Sequence, residues 1–226
     1  MFDLEGSVES DRFMGYTRLG IIHPGAMGIS VAASAQNSGY EVYWASAGRS
    51  EKSIARAAEY RLQDLKTLES LCQSCEVLVS VCPPHAADEI ADLVLGYGFA
   101  GHYLDANAIS PNKVRKMGER MRAAGVVFID GGIIGGPAWE RGSTTMYLSG
   151  TEAGRIADYF AGGPLETALL GDEIGKASAL KMCYAAWTKG RTALICGIVA
   201  AAVNLDVWEA LAAQWERDWP GWFFGR

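Results

Sequence analysis

Short apolar runs alternate with longer amphipathic segments along most of this chain, and turn-forming residues separate them. An apolar run bounded by turn residues is typical of a buried strand, and apolar residues at three- and four-residue spacing are typical of a helix. Their alternation predicts βαβ units, and therefore an α/β fold with a doubly wound, mostly parallel sheet. We expect strands over residues 18–23, 41–45, 61–65, 77–82, 101–105, 126–130 and 144–149, and helices over 28–38, 50–60, 67–74, 86–95, 112–124 and 152–160.

The pattern changes after this alternation ends. A short segment near 166–169 is expected to pair with the strand over 144–149. A long helix is predicted over 173–204, and at about 1.5 Å per residue it is too long for a crossover between two strands. We interpret it as an interdomain helix that begins an all-α C-terminal domain, of which the chain holds only the start. A further helix is predicted over 207–215, and Trp219, Trp222, Phe223 and Phe224 would form an exposed apolar patch beyond it.

Composition narrows the function classes. The chain has 226 residues, a formal net charge of −6 and an isoelectric point near 5.1, which argues against a nucleic-acid or anionic-membrane partner. The charge-free apolar run over 192–205 is too short to span a bilayer. Residues 1–15 lack the apolar core of a signal peptide, and we expect a disordered tail there.

The cysteines favour a cytoplasmic protein. There are 5 of them, an odd number at irregular spacing, which is typical of reduced thiols. Cys72 and Cys75 form a lone C-x-x-C pair with no second pair and no histidine cluster, so we predict no metal site and place the pair at the buried end of a helix.

The most specific local motif is L-G-I-I-H-P-G-A-M-G at 19–28, where a predicted strand meets a small-residue helix. Gly25 and Gly28 have the spacing of the last two glycines of G-x-G-x-x-G, in which one glycine lets the backbone approach a pyrophosphate and the other lets helix and strand pack closely. Such a helix N-terminus offers unpaired N–H groups to phosphates. The motif predicts a Rossmann-type dinucleotide site with cofactor contacts from His23, Pro24, Gly25, Ala26, Met27 and Gly28.

His23 occupies the position of the first glycine of that motif. It could contact the cofactor, or it could be a strand-end histidine bonded to local backbone.

The residues after the second predicted strand bear on the choice of cofactor. An Asp or Glu usually ends this strand where NAD binds, because it accepts from the ribose 2′-OH. Here Ser46, Arg49 and Ser50 follow instead. Arginine binds a phosphate with two N–H donors, so this set favours NADP over NAD, with Arg49 on the 2′-phosphate and the two serines as further donors. The alternative is a solvated arginine in a turn.

These residues, with others along the chain, resemble the β-hydroxyacid dehydrogenases, relatives of 3-hydroxyisobutyrate and 6-phosphogluconate dehydrogenase. The resemblance covers about residues 18–204, and the run over 130–150 is most similar to a branch of 6-phosphogluconate dehydrogenase-like proteins with a C-terminal domain of unknown function. The order and spacing of five motifs support it: G-A-M-G at 25–28, C-P-P at 82–84, D-A-N-A-I-S-P at 105–111, D-G-G-I-I-G-G-P at 130–137 and G-K-A-S-A-L-K at 175–181.

The resemblance implies a role for several residues. Lys181 matches the catalytic acid/base, and Asn107 matches a position beside the substrate carboxylate, where serine is usual. The glycines at 131, 132, 135 and 136 resemble a substrate-binding loop, so substrate contacts are expected from Gly132, Gly135 and Gly136. Cys82, Pro83, Pro84 and Asn107 follow predicted strands at the edge where ligands of such sheets bind, and we expect them to contact the cofactor.

Elementary electrostatics is compatible with the role of Lys181. A lysine within an apolar helix is desolvated, which lowers its pKa towards neutrality. Small neighbours at Ala177, Ala185 and Thr188 leave room for a ligand. The alternative is a lysine whose amine reaches the surface.

The sequence departs from the family pattern at three positions. His23 replaces the first glycine, Ile134 replaces a serine of the substrate loop, and Ala185 replaces an asparagine one turn after Lys181. The last two changes remove polar contacts to a small hydroxyacid.

We therefore predict an NADP-dependent oxidoreductase that transfers a hydride between nicotinamide and the carbinol carbon of a 3-hydroxy acid or related substrate. The alternatives are a non-catalytic or truncated NADP-binding protein and an imine reductase-like enzyme. The partners expected are a small-molecule substrate and a second copy of the chain, with a homodimer formed through the C-terminal helices. The predicted domains are a tail at 1–15, an NADP-binding Rossmann-like domain at 16–172 and the long helix with the start of the all-α domain at 173–226.

Overall fold

The computed structural model describes residues 18–221. The predicted tail at 1–15, and Trp222, Phe223 and Phe224 of the predicted aromatic patch, lie outside the described residues. Strands and helices alternate as the sequence predicts. In chain order the elements are β1 (Leu19–Ile21), α1 (Ala26–Asn37), β2 (Val42–Trp44), α2 (Glu51–Glu59), β3 (Gln63–Asp64), α3 (Leu68–Ser74), β4 (Val77–Ser80), α4 (Ala87–Gly96), β5 (His102–Asp105), α5 (Pro111–Ala123), β6 (Val127–Gly135), β7 (Thr144–Ser149), α6 (Ala153–Asp158), β8 (Glu166–Leu169), α7 (Lys176–Asn204) and α8 (Trp208–Asp218).

One 8-stranded sheet organises the domain, in the order β3-β2-β1-β4-β5-β6-β7-β8. Every neighbouring pair is parallel except β6 and β7, which are antiparallel. The strand order reverses at β1, which pairs with β2 on one side and β4 on the other. The predicted doubly wound, mostly parallel α/β fold is confirmed, and the reversal creates the crevice in which such sheets bind ligands.

The central strands are buried on both faces, as a parallel sheet covered by helices requires. Alternate residues of β4 and β5 belong to two different apolar clusters: Val79 and Leu104 pack on one side, and Leu78 and Tyr103 on the other. This double burial explains why these strands appear in the sequence as continuous apolar runs.

The largest departure from the predicted boundaries is in β6. The sequence predicts a strand that ends at Asp130 and a glycine-rich substrate loop after it, whereas β6 continues to Gly135. The expectation of a loop over the first of these glycines is therefore wrong. Glycine is a poor strand former by propensity, but here β7 pairs with the segment, with Gly131 opposite Leu148 and Gly135 opposite Thr144.

The chain divides into two compact units, residues 1–182 and 183–226, and the division falls inside α7. It lies further along the chain than the predicted domain boundary between residues 172 and 173. In the second unit, Trp208 and Trp215 stack edge to face with ring centroids 6.1 Å apart. Trp219, the described part of the predicted aromatic patch, is 52% exposed. None of the helices over residues 18–221 is both long and apolar enough to cross a membrane.

Candidate functional site

The turn from β1 to α1 has the geometry of a phosphate-binding turn. Gly25 is the N-cap of α1 in an extended conformation, no side chain caps the helix, and no acidic residue lies in its first turn. The first N–H groups of a helix have no partner within the helix, so they remain available to an anion. A Cβ atom on Gly28 would overlap the carbonyl oxygen of His23, whereas one on Gly25 would meet nothing within 4 Å. Gly28 therefore permits close packing, and the space beside Gly25 is open to a ligand.

His23 and Arg49 lie beside this turn with unsatisfied polar atoms. Among the described residues, neither the Nδ1 atom of His23 nor the Nε atom of Arg49 has a hydrogen-bond partner, although both atoms are buried. Burial, with a smaller contribution from the Arg49 charge, lowers the pKa of His23 from 6.5 to about 4. Burial also lowers the pKa of Arg49. His23 is therefore neutral near pH 7, and its Nδ1 atom lacks the backbone bond of the strand-end alternative. Arg49 is half-buried, and its Nε atom is shielded from solvent.

The neighbouring polar residues of the β2–α2 loop have local partners. Ser50 caps α2 by accepting from the Ser53 N–H at 3.3 Å. The Ser46 N–H donates to Asp64 Oδ1 at 3.2 Å. Asp64 is a carboxylate near the end of β2 that the sequence analysis missed, because only the register of Trp44 opposite Asp64 brings it there. Its oxygens also accept from the N–H and the ammonium of Lys66, at 2.8 and 2.7 Å, so the carboxylate is committed within the protein.

Asn107 ties together the ends of β4 and β5. Its Nδ2 donates to Ser80 Oγ at 3.0 Å and to Asp105 Oδ2 at 2.8 Å, and its Oδ1 accepts from the Cys82 N–H at 2.6 Å. Both amide N–H donors are thus used inside the protein, and the residue is only 3% exposed. Asn107 fixes the backbone that leads into the exposed Pro83 and Pro84. Its Oδ1 atom could accept a second bond, and its expected contacts with cofactor and substrate stay predictions.

Asp105 is a fully buried carboxyl at the end of β5. Burial raises its pKa to about 7, although the side chain and backbone of Asn107 donate to it and oppose the rise. The sequence analysis did not single it out as a titratable group, since its burial depends on strands packed on both sides.

The start of α7 is joined to β6 by a second buried carboxylate. Asp130 Oδ2 accepts from the N–H groups of Gly175 at 2.9 Å and Ser178 at 3.1 Å, and from Ser149 Oγ at 3.0 Å. Asp130 Oδ1 accepts from Ser178 Oγ at 2.7 Å. The carboxylate therefore satisfies N–H groups at the positive end of the helix that carries Lys181.

The next residues of β6 complete this junction. A Cβ atom on Gly132 would lie 2.6 Å from the Ala177 carbonyl oxygen and 3.3 Å from Lys181 Cβ, so only glycine admits α7 at this distance. The ammonium group of Lys181 donates to the Ile133 carbonyl oxygen, and its side chain is partly buried. Asp130, Gly132 and Ile133 thus fix the position of Lys181 relative to the sheet.

The predicted substrate-binding glycines divide into two groups. Gly131 and Gly132 are buried strand residues whose lack of a side chain permits packing, against Leu104 and α7 respectively. Gly135 and Gly136 are exposed at the end of β6, and Gly135 has a φ of +125°, which favours glycine. The backbone of the second pair is exposed, whereas Gly132 serves the packing of α7; the substrate contacts expected from all three glycines stay predictions.

The described residues contain no group of three or more His, Cys, Asp or Glu side chains that could hold a metal ion. Cys72 and Cys75 are buried free thiols at the end of α3, as predicted. Burial raises the pKa of each to about 12, so neither is a reactive thiolate at neutral pH.

The strand order reverses at β1, helix α1 begins without a side-chain cap, and glycines occupy positions 25 and 28 of the turn between them. Together these features define a dinucleotide-binding α/β domain. Residues 18–158 match the family model of the NAD binding domain of 6-phosphogluconate dehydrogenase, and the chain belongs to this family. It therefore contains an NAD(P)-binding domain.

Individual relatives agree with this assignment. An uncharacterized 28.5 kDa protein from Methanothermus fervidus is 28% identical over 169 residues, which are 73% of this chain and 62% of that protein. The chain thus spans less than two thirds of the length of this curated relative.

Two solved structures have the same fold. The conserved protein MTH1747, of unknown function and described as similar to 3-hydroxyacid dehydrogenases, superposes with a TM-score of 0.70 at 28% identity over 88% of this chain and 75% of that chain. The 3-hydroxyisobutyrate dehydrogenase of Mycobacterium tuberculosis gives a TM-score of 0.69 at 17% identity over 85% and 67% of the two chains. The resemblance to the β-hydroxyacid dehydrogenase fold is confirmed.

The raised pKa of Asp105 predicts a pH-dependent stability. A carboxyl whose folded pKa exceeds its unfolded value of 3.8 stabilises the fold in its protonated form, so its contribution is lost as the pH rises from about 4 to about 7. Between these pH values the unfolding free energy of the wild type should fall by roughly 2 to 4 kcal/mol because of Asp105, and this part of the fall should be absent in Asp105→Asn. Urea unfolding at pH 4.5 and 8 measures it. The exposed Asp172→Asn is the control, and an unchanged pH dependence in Asp105→Asn contradicts the assignment.

The capping role of Asp130 predicts a loss of stability when its charge is removed. Asp130→Asn keeps the size of the side chain but weakens its charge-assisted bonds to α7, and we expect a loss of about 2 kcal/mol of unfolding free energy. Glu173→Gln removes the same charge from an exposed residue near the same helix terminus and should cost far less. Chemical denaturation of both variants measures the difference. Equal effects would show that Asp130 acts only through net charge.

Proposed function

We propose that the protein is an NADP-dependent oxidoreductase that transfers a hydride between nicotinamide and the carbinol carbon of a 3-hydroxy acid or a related substrate. The observation that most supports this is the placement of Lys181, which the β6–α7 junction holds in a domain that also carries a phosphate-binding turn. NADP supplies the hydride chemistry when bound. The protein supplies position and the transfer of a proton.

The residues that would hold the cofactor lie at the ends of β1, β2 and β4. The first turn of α1 would bind the pyrophosphate through backbone N–H groups, with Gly25 leaving space for it. Arg49 would bind the 2′-phosphate, supported by its buried and unpartnered Nε atom. The hydroxyl groups of Ser46 and Ser50, on the same loop as Arg49, would be further donors to this phosphate. The C-P-P turn, held by Asn107, would border the cofactor.

Lys181 would move the proton of the substrate hydroxyl. In oxidation its neutral amine takes that proton, and in reduction its ammonium returns it to the oxygen. The Ile133 carbonyl oxygen accepts from the Lys181 ammonium and orients it. The exposed backbone at Gly135 and Gly136 would contribute N–H groups to a substrate anion.

A second candidate reaction, reduction of an imine, is favoured by one feature of β6. The half-buried Ile134 follows the residue that orients Lys181, and its side chain offers no polar contact to a carboxylate. A substrate without a carboxylate would suit this surface better than a small hydroxyacid. The hydride would then add to the imine carbon, and the Lys181 ammonium would protonate the imine nitrogen.

We also propose that the protein forms a homodimer in the cytoplasm. All five cysteines are free thiols, which fits a reducing compartment. The second unit exposes large apolar side chains that a second copy would cover, with Trp187 59%, Leu194 65% and Leu205 69% exposed.

The cofactor assignment predicts selective loss of NADPH affinity in Arg49→Ala. Removing a charge-assisted bond to the 2′-phosphate should weaken NADPH binding by about 10- to 100-fold and leave NADH binding unchanged. Titration of the purified protein, followed by nucleotide fluorescence, measures both affinities. Arg122→Ala removes the same charge from an exposed position of α5 and should change neither. Equal affinities of the wild type for NADPH and NADH would argue against NADP specificity.

The catalytic assignment predicts that Lys181→Met lowers kcat by at least about 100-fold, because general acid–base catalysis is lost, while NADPH affinity is retained. Lys176→Met, at an exposed lysine of the same helix, should retain full turnover. Turnover is measured with a panel of 3-hydroxy acids and cyclic imines. Full activity in Lys181→Met would remove Lys181 from the mechanism. Tight NADPH binding with no turnover of any substrate would favour the non-catalytic alternative.

The dimer assignment predicts that a charge placed on the exposed apolar face of the second unit prevents association. Leu194→Glu should convert a dimer into a monomer in sedimentation velocity at micromolar concentration, because burying an unpaired carboxylate is costly. Lys189→Glu changes charge at an exposed polar position of the same helix and serves as the control. A monomeric wild type would contradict the proposal.

A further inference from the structure

Two buried nitrogen atoms at the dinucleotide crevice lack the partners that such atoms normally have. They are Nδ1 of His23 and Nε of Arg49, and neither bonds to any atom in the described part of the chain. A buried polar group without a partner costs free energy of about 1 to 3 kcal/mol, so each such group needs an explanation. Two of them at one place indicate a site for a ligand that supplies acceptors.

The topology brings these two side chains to the same edge of the sheet. His23 follows β1 and Arg49 follows β2, and the two strands are parallel neighbours, with Leu19 opposite Val42. The carboxyl ends of parallel neighbours meet at one edge. The charge of Arg49 acts on the His23 ring, and it also acts on the Cys82 thiol after β4. The two side chains therefore face a common space beside the N-terminus of α1.

The charged groups around His23 are all of one sign. Arg49 approaches from the β2–α2 loop, and Arg56 of α2 donates to the Pro24 carbonyl oxygen at 3.1 Å. The N-terminus of α1 adds the positive end of a helix. The Cys82 thiol is neutral at pH 7, because burial raises its pKa. Within residues 18–221, no carboxylate acts appreciably on the His23 ring, since burial and Arg49 are the causes of its lowered pKa. The site thus has cationic surroundings that only a bound anion would balance.

We propose that His23 and Arg49 together bind the 2′-phosphate of NADP, and that His23 takes up a proton from solvent when this phosphate binds. This inference rests on the proposed NADP specificity and assigns a further binding residue to it. The phosphate oxygens accept from Nε of Arg49 and from the protonated Nδ1 of His23. The two negative charges of the phosphate then face two positive side chains. For each NADP bound, His23 takes one proton from the buffer.

The same arrangement discriminates against NAD. A bound NAD would present a single neutral 2′-hydroxyl in place of the phosphate, so it would offer one acceptor oxygen and no charge to the two nitrogen atoms. A site with unpaired polar groups rejects the analogue that lacks the matching group. A glycine at position 23 has no side chain that could bind the phosphate. The replacement of the first glycine of G-x-G-x-x-G by His23 would therefore contribute to the preference for NADP over NAD.

Proton uptake is measurable by isothermal titration calorimetry in buffers of different ionisation enthalpy. NADPH and NADH are titrated into wild type and His23→Gln at about pH 7.5, where a phosphomonoester is almost fully dianionic. Subtracting the variant from the wild type removes any proton released by the phosphate itself. We expect up to one proton taken up with NADPH in the wild type, none with NADH, and about 10-fold weaker NADPH binding in His23→Gln. The exposed His85→Gln is the matched control and should equal the wild type.

A second measurement uses the wild-type protein and needs no variant. The chain has 3 histidines, so the His23 ring can be followed by nitrogen-15 NMR during a pH titration. We expect its pKa to rise from about 4 in the free protein to above 7 with NADPH bound, and to stay low with NADH bound.

The outcomes separate this inference from the proposed function. Proton uptake that persists in His23→Gln, or an unshifted His23 ring in the NADPH complex, overturns the role of His23 while NADP specificity stands. NADPH binding that is no tighter than NADH binding overturns the NADP proposal, and the shared 2′-phosphate site with it.

Discussion

The buried carboxylate of Asp130 is the interaction on which the candidate catalytic arrangement depends. It accepts from N–H groups at the start of α7, and it does so from the middle of β6, the strand whose next residues contact Lys181. Because the carboxylate is buried and fully bonded, the helix terminus has one position of low energy on the sheet. Gly132 then lets the two backbones approach to a distance that any side chain would prevent.

At the turn after β1, in contrast, several polar groups have no partner within the described part of the protein. The β6–α7 junction satisfies its polar groups within the protein, whereas the turn after β1 leaves the helix N-terminus without a side-chain cap and leaves His23 Nδ1 and Arg49 Nε without partners. Those unsatisfied groups cost stability, and a bound anion would repay the cost. The structure thus combines a fully bonded junction that positions Lys181 with a cationic turn whose polar groups are left open.

Between these two regions, the polar network of Asn107 has a supporting role. Its bonds to Ser80, Asp105 and the Cys82 backbone link the ends of β4 and β5. The network shows that Asn107 also shapes the turn beside it, whatever contact it makes with a ligand. The Asp105 carboxyl in this network is buried by the strands around it, and this burial raises its pKa to about 7 although the bonds from Asn107 oppose the rise.

Much of the fold follows from local signals. Parallel strands buried on both faces appear as apolar runs. In the turn after β1, Gly28 permits close packing against the His23 carbonyl, and Gly25 leaves open space at the start of α1. Boundaries were less predictable. The extension of β6 to Gly135 depends on pairing with β7, and no local propensity of a glycine run indicates a strand.

By itself, the sequence determined the alternating α/β pattern and the dinucleotide-binding turn, and its resemblance to a family implied Lys181 as the candidate acid/base. Only the tertiary structure decided that Asp130 caps α7, that Gly132 serves packing, and that His23 Nδ1 and Arg49 Nε are buried without partners. The physical reason is the range of the interactions. Periodicity and turn chemistry act between residues close in the chain, whereas burial, missing partners and charge coupling arise between residues that only the sheet brings together.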